Sequence, residues 1–245
     1  MCPTCVKRRV ALALGLSALA MPAEALDTVE PRFPRPPPRE GHRRIAFTLD
    51  ACNGGFDRRI ADTLVAQGAR ATIFLTADWI RANKLGLAFL RAHPEIFSVE
   101  NHGERHMPPV LGTGTLYGLP IAGTLEAIRR KVTEGARAIQ TATGTTTRWY
   151  RGATARYSPA AIPEIHRLGH DIAAYSLNAD EGASLPASTV AARLAAARDG
   201  DVVIAHISQP SRPSGEGLAR AIATLTDITW VTLDELHPRK QAVLF

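Results

Sequence analysis

From Arg44 onward, short β-branched or apolar runs alternate with longer stretches of helix-forming composition, and this alternation constrains the fold more than any other feature. The pattern predicts strands at 45–49, 71–75, 96–100, 147–151, 171–175, 202–206 and 229–232, and helices at 58–67, 77–92, 124–142, 159–168, 188–198 and 217–225. Strands joined through helices form parallel sheets. About seven strands and six helices suit an α/β architecture, a distorted or incomplete (β/α) barrel; an open doubly wound sheet shares the same local pattern. In either fold ligands collect beyond the carboxyl ends of the strands. Asp50, His102, Arg151 and His206 all fall at or just past such ends.

The segment before the first strand reads differently. Lys7, Arg8 and Arg9, an apolar run from Val10 to Ala20 and the small-x-small triplet Ala23-Glu24-Ala25 have the form of an export leader over residues 1–25. The run is well below the roughly 20 residues needed to span a bilayer, so no stable membrane insertion is expected after cleavage. The expected location is the periplasm or the extracellular space. Cleavage removes Cys2 and Cys5, leaving Cys52 without a partner for an internal disulfide. Residues 26–43 hold Pro31, Pro34, Pro36, Pro37 and Pro38, which predict an extended arm on the surface. A single domain is expected over 44–245, since 45% apolar composition supplies one substantial core. Of the net charge of +6, Lys7, Arg8, Arg9 and Glu24 account for +2, leaving +4 on the mature chain. No basic block interleaved with aromatics argues for nucleic acid.

In Asn101-His102-Gly103-Glu104-Arg105-His106 two histidines stand four apart just after a strand, a spacing that brings both imidazoles to one side of a helical turn, where they can share a metal ion. Imidazole suits zinc, nickel, cobalt or iron. Ile45 to Asp50 is an apolar strand ending in a carboxylate that can serve as general base or cap the following turn. Asp201 to His206 is a second apolar strand, ending in a histidine whose pKa can sit near neutral, as a general acid requires.

Thr48-Leu49-Asp50, the His102/His106 pair, Tyr150-Arg151 and Val202-Val203-Ile204-Ala205-His206 occur in an order and spacing that resembles the NodB-type polysaccharide deacetylases, carbohydrate esterase family four. Ser211 to Leu218 and Trp230 to Leu236 also look like that family's ending, so the resemblance spans about 44 to 236. It implies a distorted (β/α) barrel that uses one divalent metal ion, Zn2+ with Co2+ or Ni2+ as alternatives, to remove N-acetyl groups from N-acetylhexosamine units of an envelope polysaccharide or oligosaccharide. It makes Asp50 the base that activates water and His102 and His106 metal ligands. It makes His206 the acid that protonates the leaving amine and Arg151 the group that orients Asp50. Ile204, Tyr150 and Asp180 fall to the substrate-binding side.

The family carries two adjacent aspartates at the first strand end, the second a metal ligand, and this chain has Ala51 there. Either Asp50 itself becomes the third ligand, or Cys52 or Asp57 reaches the metal, or two histidines hold it with water. Cys52 is attractive because residues two apart on an extended chain point the same way and a thiolate binds zinc strongly; as a packed free thiol it is equally well accounted for. The competing function is a catalytically impaired barrel that binds glycan or a cell-wall partner. His42, His93, His166, His170 and His237 match no motif and read as surface or capping residues, while Trp79, Trp149 and Trp230 read as core.

Overall fold

The computed structural model describes residues 26–238; the expected export leader over 1–25, with Cys2 and Cys5, lies outside the described residues. The element order is β1 (Arg43–Ala51), α1 (Arg58–Gln67), β2 (Ala71–Leu75), α2 (Ala77–Ala82), α3 (Lys84–Ala92), β3 (Phe97–Asn101), β4 (Thr115–Leu116), β5 (Leu119–Pro120), α4 (Leu125–Thr143), β6 (Trp149–Tyr150), α5 (Ala161–Arg167), β7 (Asp171–Ile172), β8 (Leu177–Asn178), α6 (Ala187–Ala195), β9 (Val202–His206), α7 (Ser214–Thr224), β10 (Ile228–Val231) and α8 (Leu233–Leu236). No helix among the described residues is long and apolar enough to cross a membrane.

Eight strands form one sheet in the order β7-β6-β3-β2-β1-β9-β8, with β10 also on β1, and every pair in it is parallel. The nine-residue β1 is long enough to serve three partners: β9 along 46–50, β10 beside 43–46 and β2 beside 48–51. Seven of its residues are buried, as a strand covered on both faces requires. The sheet curls into an open barrel whose edges are β7 and β8. The intervening chain crosses the seam: the Ala173 amide donates to Tyr150 O at 2.9 Å and the Ser176 amide to Val202 O at 2.9 Å.

Side chains alternate between two cores. Ile45, Phe47, Leu49 and Ala51 pack outward against α1, α2 and α7 with Ile60, Leu64, Trp79 and Leu218. Ala46, Phe74, Trp149, Val202 and Ile204 fill the barrel interior. Trp79, Trp149 and Trp230 are all buried. Helix α1 is bounded by the Asp57 cap, which accepts from the Arg59 amide at 3.1 Å, and by Gly68 in the left-handed region at φ 61°. On α4 the buried stripe is Ile128, Lys131, Val132, Gly135 and Ile139, the spacing of an amphipathic helix face.

The single helix expected over 77–92 is two, broken at Asn83. The Asn83 amide donates to Gly54 O at 2.8 Å and Trp79 O at 3.2 Å, so a side chain that competes for backbone groups ends the helix and ties it to the β1 loop. Strands β4, β5 and β8 and helix α8 carry no periodic signal and were not expected. The proline-rich arm lies extended over the barrel and is bound to it from Val29 to Pro36. Val29 pairs with Tyr157, and the Phe33 amide donates to Tyr175 O at 3.1 Å. The Arg32 guanidinium sits 3.8 Å over the Tyr175 ring, and Pro36 O accepts from Arg198 at 3.1 Å. The arm therefore straps the seam between β7 and β8.

Glu100, 5% exposed, ties β3 to β6: its carboxylate accepts from the Trp149 amide at 2.7 Å and the Arg148 amide at 2.9 Å. Burial, only partly offset by these amides, pushes its pKa from 4.5 up to about 8. An acid raised in the fold stabilises below its unfolded value and loses that contribution as pH rises through the folded one. The protein is therefore expected to lose stability between pH 4.5 and about 8, and Glu100→Gln to flatten the profile; melting temperatures of both proteins across that window check this.

Candidate active site

The metal-ligand candidates converge without the expected helical turn. His102 and His106 lie on a bend after β3 in which Gly103 takes φ 92°, yet their rings stand 5.2 Å apart. Asn101 shapes this bend: its side-chain oxygen accepts from the Gly103 amide at 2.8 Å while its amide donates to Val132 O at 2.9 Å. His102 Nδ1 is 2.6 Å from Arg151 O, and because a carbonyl only accepts, Nδ1 carries the proton and Nε2 presents its lone pair.

Cys52 Sγ lies 3.4 Å from that lone pair. One ligand atom from each of Cys52, His102 and His106 falls within 4.8 Å of the others, the donor set and spacing that suit a tetrahedral zinc-type ion with an open position. Burial raises the Cys52 thiol, but the imidazoles around it, first the charge and hydrogen bond of His102 when its ring is protonated at both nitrogens, then hydrogen bonds with His106 and His206, hold it well below its ordinary pKa. The alternation of β1 accounts for the geometry: Asp50 and Cys52 face the histidines, while Ala51 is fully buried in the outward core.

Asp50 stands beside this cluster, its Oδ2 4.0 Å from His102 Nε2 and its Oδ1 3.0 Å from Arg151. Arg151 is fully buried, with Nη1 also donating to Thr48 at 2.7 Å, Nε to Ala173 O at 3.1 Å and Nη2 to Ala174 O at 3.3 Å. Its guanidinium lies 4.3 Å over the Phe74 ring. Burial raises the Asp50 carboxyl, and the charges of Arg151, His102 and His206 bring it below its ordinary value, so it is held as a carboxylate.

His206 enters from β9, paired in register with Asp50. Behind it lies Asp180, fully buried, which accepts from the His206 amide at 2.8 Å and from Nδ1 at 2.9 Å. Burial lowers the imidazolium, and Asp180 with Cys52 more than reverses this, leaving His206 well above the ordinary histidine pKa. Asp180 is thus a positioning residue for His206 and not a substrate contact, a correction to the expectation from resemblance.

Tyr150 is also corrected. It is fully buried on the helix-facing side, its hydroxyl 3.0 Å from Lys131 Nζ, so it has no surface to offer a substrate. Ile204 lines the interior two residues below His206 at 6% exposure. Asp57 caps α1 and pairs with Arg59 at 2.6 Å, outside the cluster. His170 is buried, with its Nε2 2.9 Å from Thr147, and is not a surface residue.

Lys131 went unpredicted. It donates to His102 O at 3.2 Å, and burial pushes its pKa down to about 7. The sequence signal was its place on the apolar stripe of α4. A cleft of about 700 Å3 lined by Phe97, Glu100, Arg148 and Asp234 lies toward the amino end of β3 and holds none of the site residues.

The chain matches the family model described as polysaccharide deacetylase over residues 38–191, a span that includes Asp50, His102, His106, Arg151 and Asp180 but ends before His206. No curated protein matches it. Among solved structures it resembles a CE4 family pseudoenzyme from Bacillus anthracis at 19% identity and TM-score 0.63, covering 80% of this chain and 65% of that one, so it spans about two thirds of the pseudoenzyme's length. It also resembles the peptidoglycan deacetylase PdaC from Bacillus subtilis at 18% identity and TM-score 0.62, covering 80% and 90%. A third likeness is to a family 4 acetyl xylan esterase from Clostridium thermocellum in complex with a cobalt ion, at 24% identity and TM-score 0.62, covering 79% and 90%. At these identities the likeness is one of fold.

Proposed function

The chain belongs to the polysaccharide deacetylase family, and from that membership we propose that it is an exported, metal-dependent hydrolase that removes N-acetyl groups from N-acetylhexosamine units of an envelope polysaccharide or oligosaccharide. The observation that carries the reading is the donor cluster of Cys52, His102 and His106 flanked by a positioned carboxylate and a positioned imidazole. Cys52 takes the third ligand position that Ala51 leaves vacant, and a thiolate with two imidazoles favours zinc. A divalent ion held by Cys52, His102 and His106 would polarise the acetyl carbonyl and lower the pKa of water.

The chain's own residues supply the proton chemistry. Asp50, ionised and fixed by Arg151, takes a proton from the attacking water. His206, held protonated by Asp180, gives a proton to the leaving nitrogen, so the amide breaks to acetate and a free amine. Arg151 is saturated by fixed acceptors, so the base keeps one orientation through the cycle. Ile204, beneath His206, offers an apolar wall to the acetyl methyl.

The competing reading, a barrel that binds glycan without cleaving it, draws support from Ala51 and from the pseudoenzyme among its structural relatives. Both proton-transfer groups with their positioning partners favour catalysis. Metal analysis of the purified protein, paired with acetate release from N-acetylglucosamine oligomers and acetylated xylan, separates them. The hydrolase reading expects about one equivalent of bound divalent ion and release from the N-acetylated oligomer. Ion bound with no acetate released from either substrate would leave the binder.

A further inference from the structure

We propose that Tyr117 is a stacking platform for a pyranose ring of the substrate chain, at a subsite beyond the sugar that reacts. The inference rests on the reading of this protein as a carbohydrate hydrolase and names a residue that fixes its preference for polymer over monomer.

The long connection from β3 to α4 begins at the metal-ligand histidines and belongs to the carboxyl end of the barrel, where the site lies. Midway it forms the β4–β5 hairpin, in which Leu116 pairs with Leu119 across a two-residue turn of Tyr117 and Gly118. Both turn residues have positive φ, 51° and 77°. Such turns favour asparagine or glycine at the first position, and an aromatic side chain there is strained. Tyr117 gains nothing from burial in return. It is 71% exposed, while every other tyrosine in the chain is buried.

A strained backbone that presents a bare aromatic ring is an outlier that points to use outside the fold. The hairpin base is rigid. The Gly112 amide donates to Gly123 O at 3.0 Å, the Ala122 amide to Pro108 O at 3.0 Å and the Ile121 amide to Gly114 O at 3.3 Å, with Ile121 buried beneath. Pro109 in the same connection packs on Gly152, next to Arg151, and its carbonyl accepts from the Ser158 amide at 3.1 Å. The hairpin thus projects from the connection that begins at His106 and that packs, through Pro109, beside Arg151. A tyrosine face is a flat, amphipathic surface of low conformational entropy, suited to the apolar C–H face of a hexose whose hydroxyls stay in water.

The test is a set of variants read by calorimetric binding of N-acetylglucosamine pentamer and by thermal melting, with KM and kcat on pentamer and dimer. Tyr117→Asn is expected to weaken pentamer binding and raise its KM about 5- to 10-fold, with kcat and dimer kinetics unchanged and a melting temperature equal to or above wild type. Tyr117→Phe should stay within about twofold, because stacking uses the ring face. Pentamer affinity unchanged in Tyr117→Asn overturns the proposal, as does a wild-type protein that binds no pentamer. A fall in melting temperature with affinity intact marks the residue as structural. Pentamer binding that depends on Tyr117 without acetate release keeps the subsite and removes only the hydrolase reading.

Discussion

Cys52→Ser is expected to weaken zinc binding by at least about 100-fold, beyond the roughly 10- to 100-fold that losing an outer-shell partner costs. The thiol sits 3.4 Å from His102 Nε2, the nitrogen that the Nδ1 bond to the Arg151 carbonyl leaves for a metal ion, and protonated imidazoles around it hold it well below its ordinary pKa. A serine hydroxyl in the same place remains protonated and offers no anionic donor. Chelator competition on folded wild-type and variant protein measures the affinity. Cobalt substitution adds a qualitative sign, since a sulfur-to-cobalt absorption band should appear in wild type and vanish in the serine variant. Equal affinities, with the band absent from both, would return Cys52 to the status of a packed thiol and leave the third position to Asp50 or to water.

Arg151→Met is expected to destabilise the fold by about 3–5 kcal/mol at neutral pH, because it leaves Asp50 as a buried carboxylate without its nearest counterion. The pH dependence follows from the sign of the Asp50 shift. Its pKa is lowered in the fold, so the carboxylate contributes stability that is present above 3.8 and is lost as pH falls through the lowered value. Without Arg151 the burial that raises this group has less to oppose it, so the variant's deficit should shrink as pH falls and the carboxyl protonates. Adding Asp50→Asn should recover part of the loss, and the coupling in the double-mutant cycle measures the pair. Urea unfolding of the four proteins at neutral and acidic pH checks both statements; additive losses would show that Arg151 matters through its bonds to Thr48, Ala173 and Ala174 alone.

Much of this site was legible before any coordinates. Asp50 and His206 stand at the carboxyl ends of largely apolar runs that read as strands, and β1 and β9 are neighbours that set the two in register. The histidine pair was found by spacing, though a turn shaped by Asn101 and Gly103 brings the rings together where a helix was expected. Asp180 was misassigned because β8 is two residues long and gives no alternation from which to tell inward from backward. Tyr150 failed for the opposite reason. It adjoins Arg151 in sequence, and neighbours on a strand face opposite sides. In the fold, the strand pattern gave the sheet, while the break at Asn83 and the docking of the arm arise from side-chain bonds between segments far apart in the chain, which no local pattern encodes.

The strap across the seam sets an order of events during synthesis. Residues 29–36 emerge early, but their partners Tyr157, Tyr175 and Arg198 follow more than 120 residues later. The earliest part of the domain thus waits for nearly all the rest, and its docking is among the most non-local and slowest contacts to form. Until then β7 and β8 remain two-residue edges open to wrong pairing. The arm that precedes the barrel in the chain is its closing clasp.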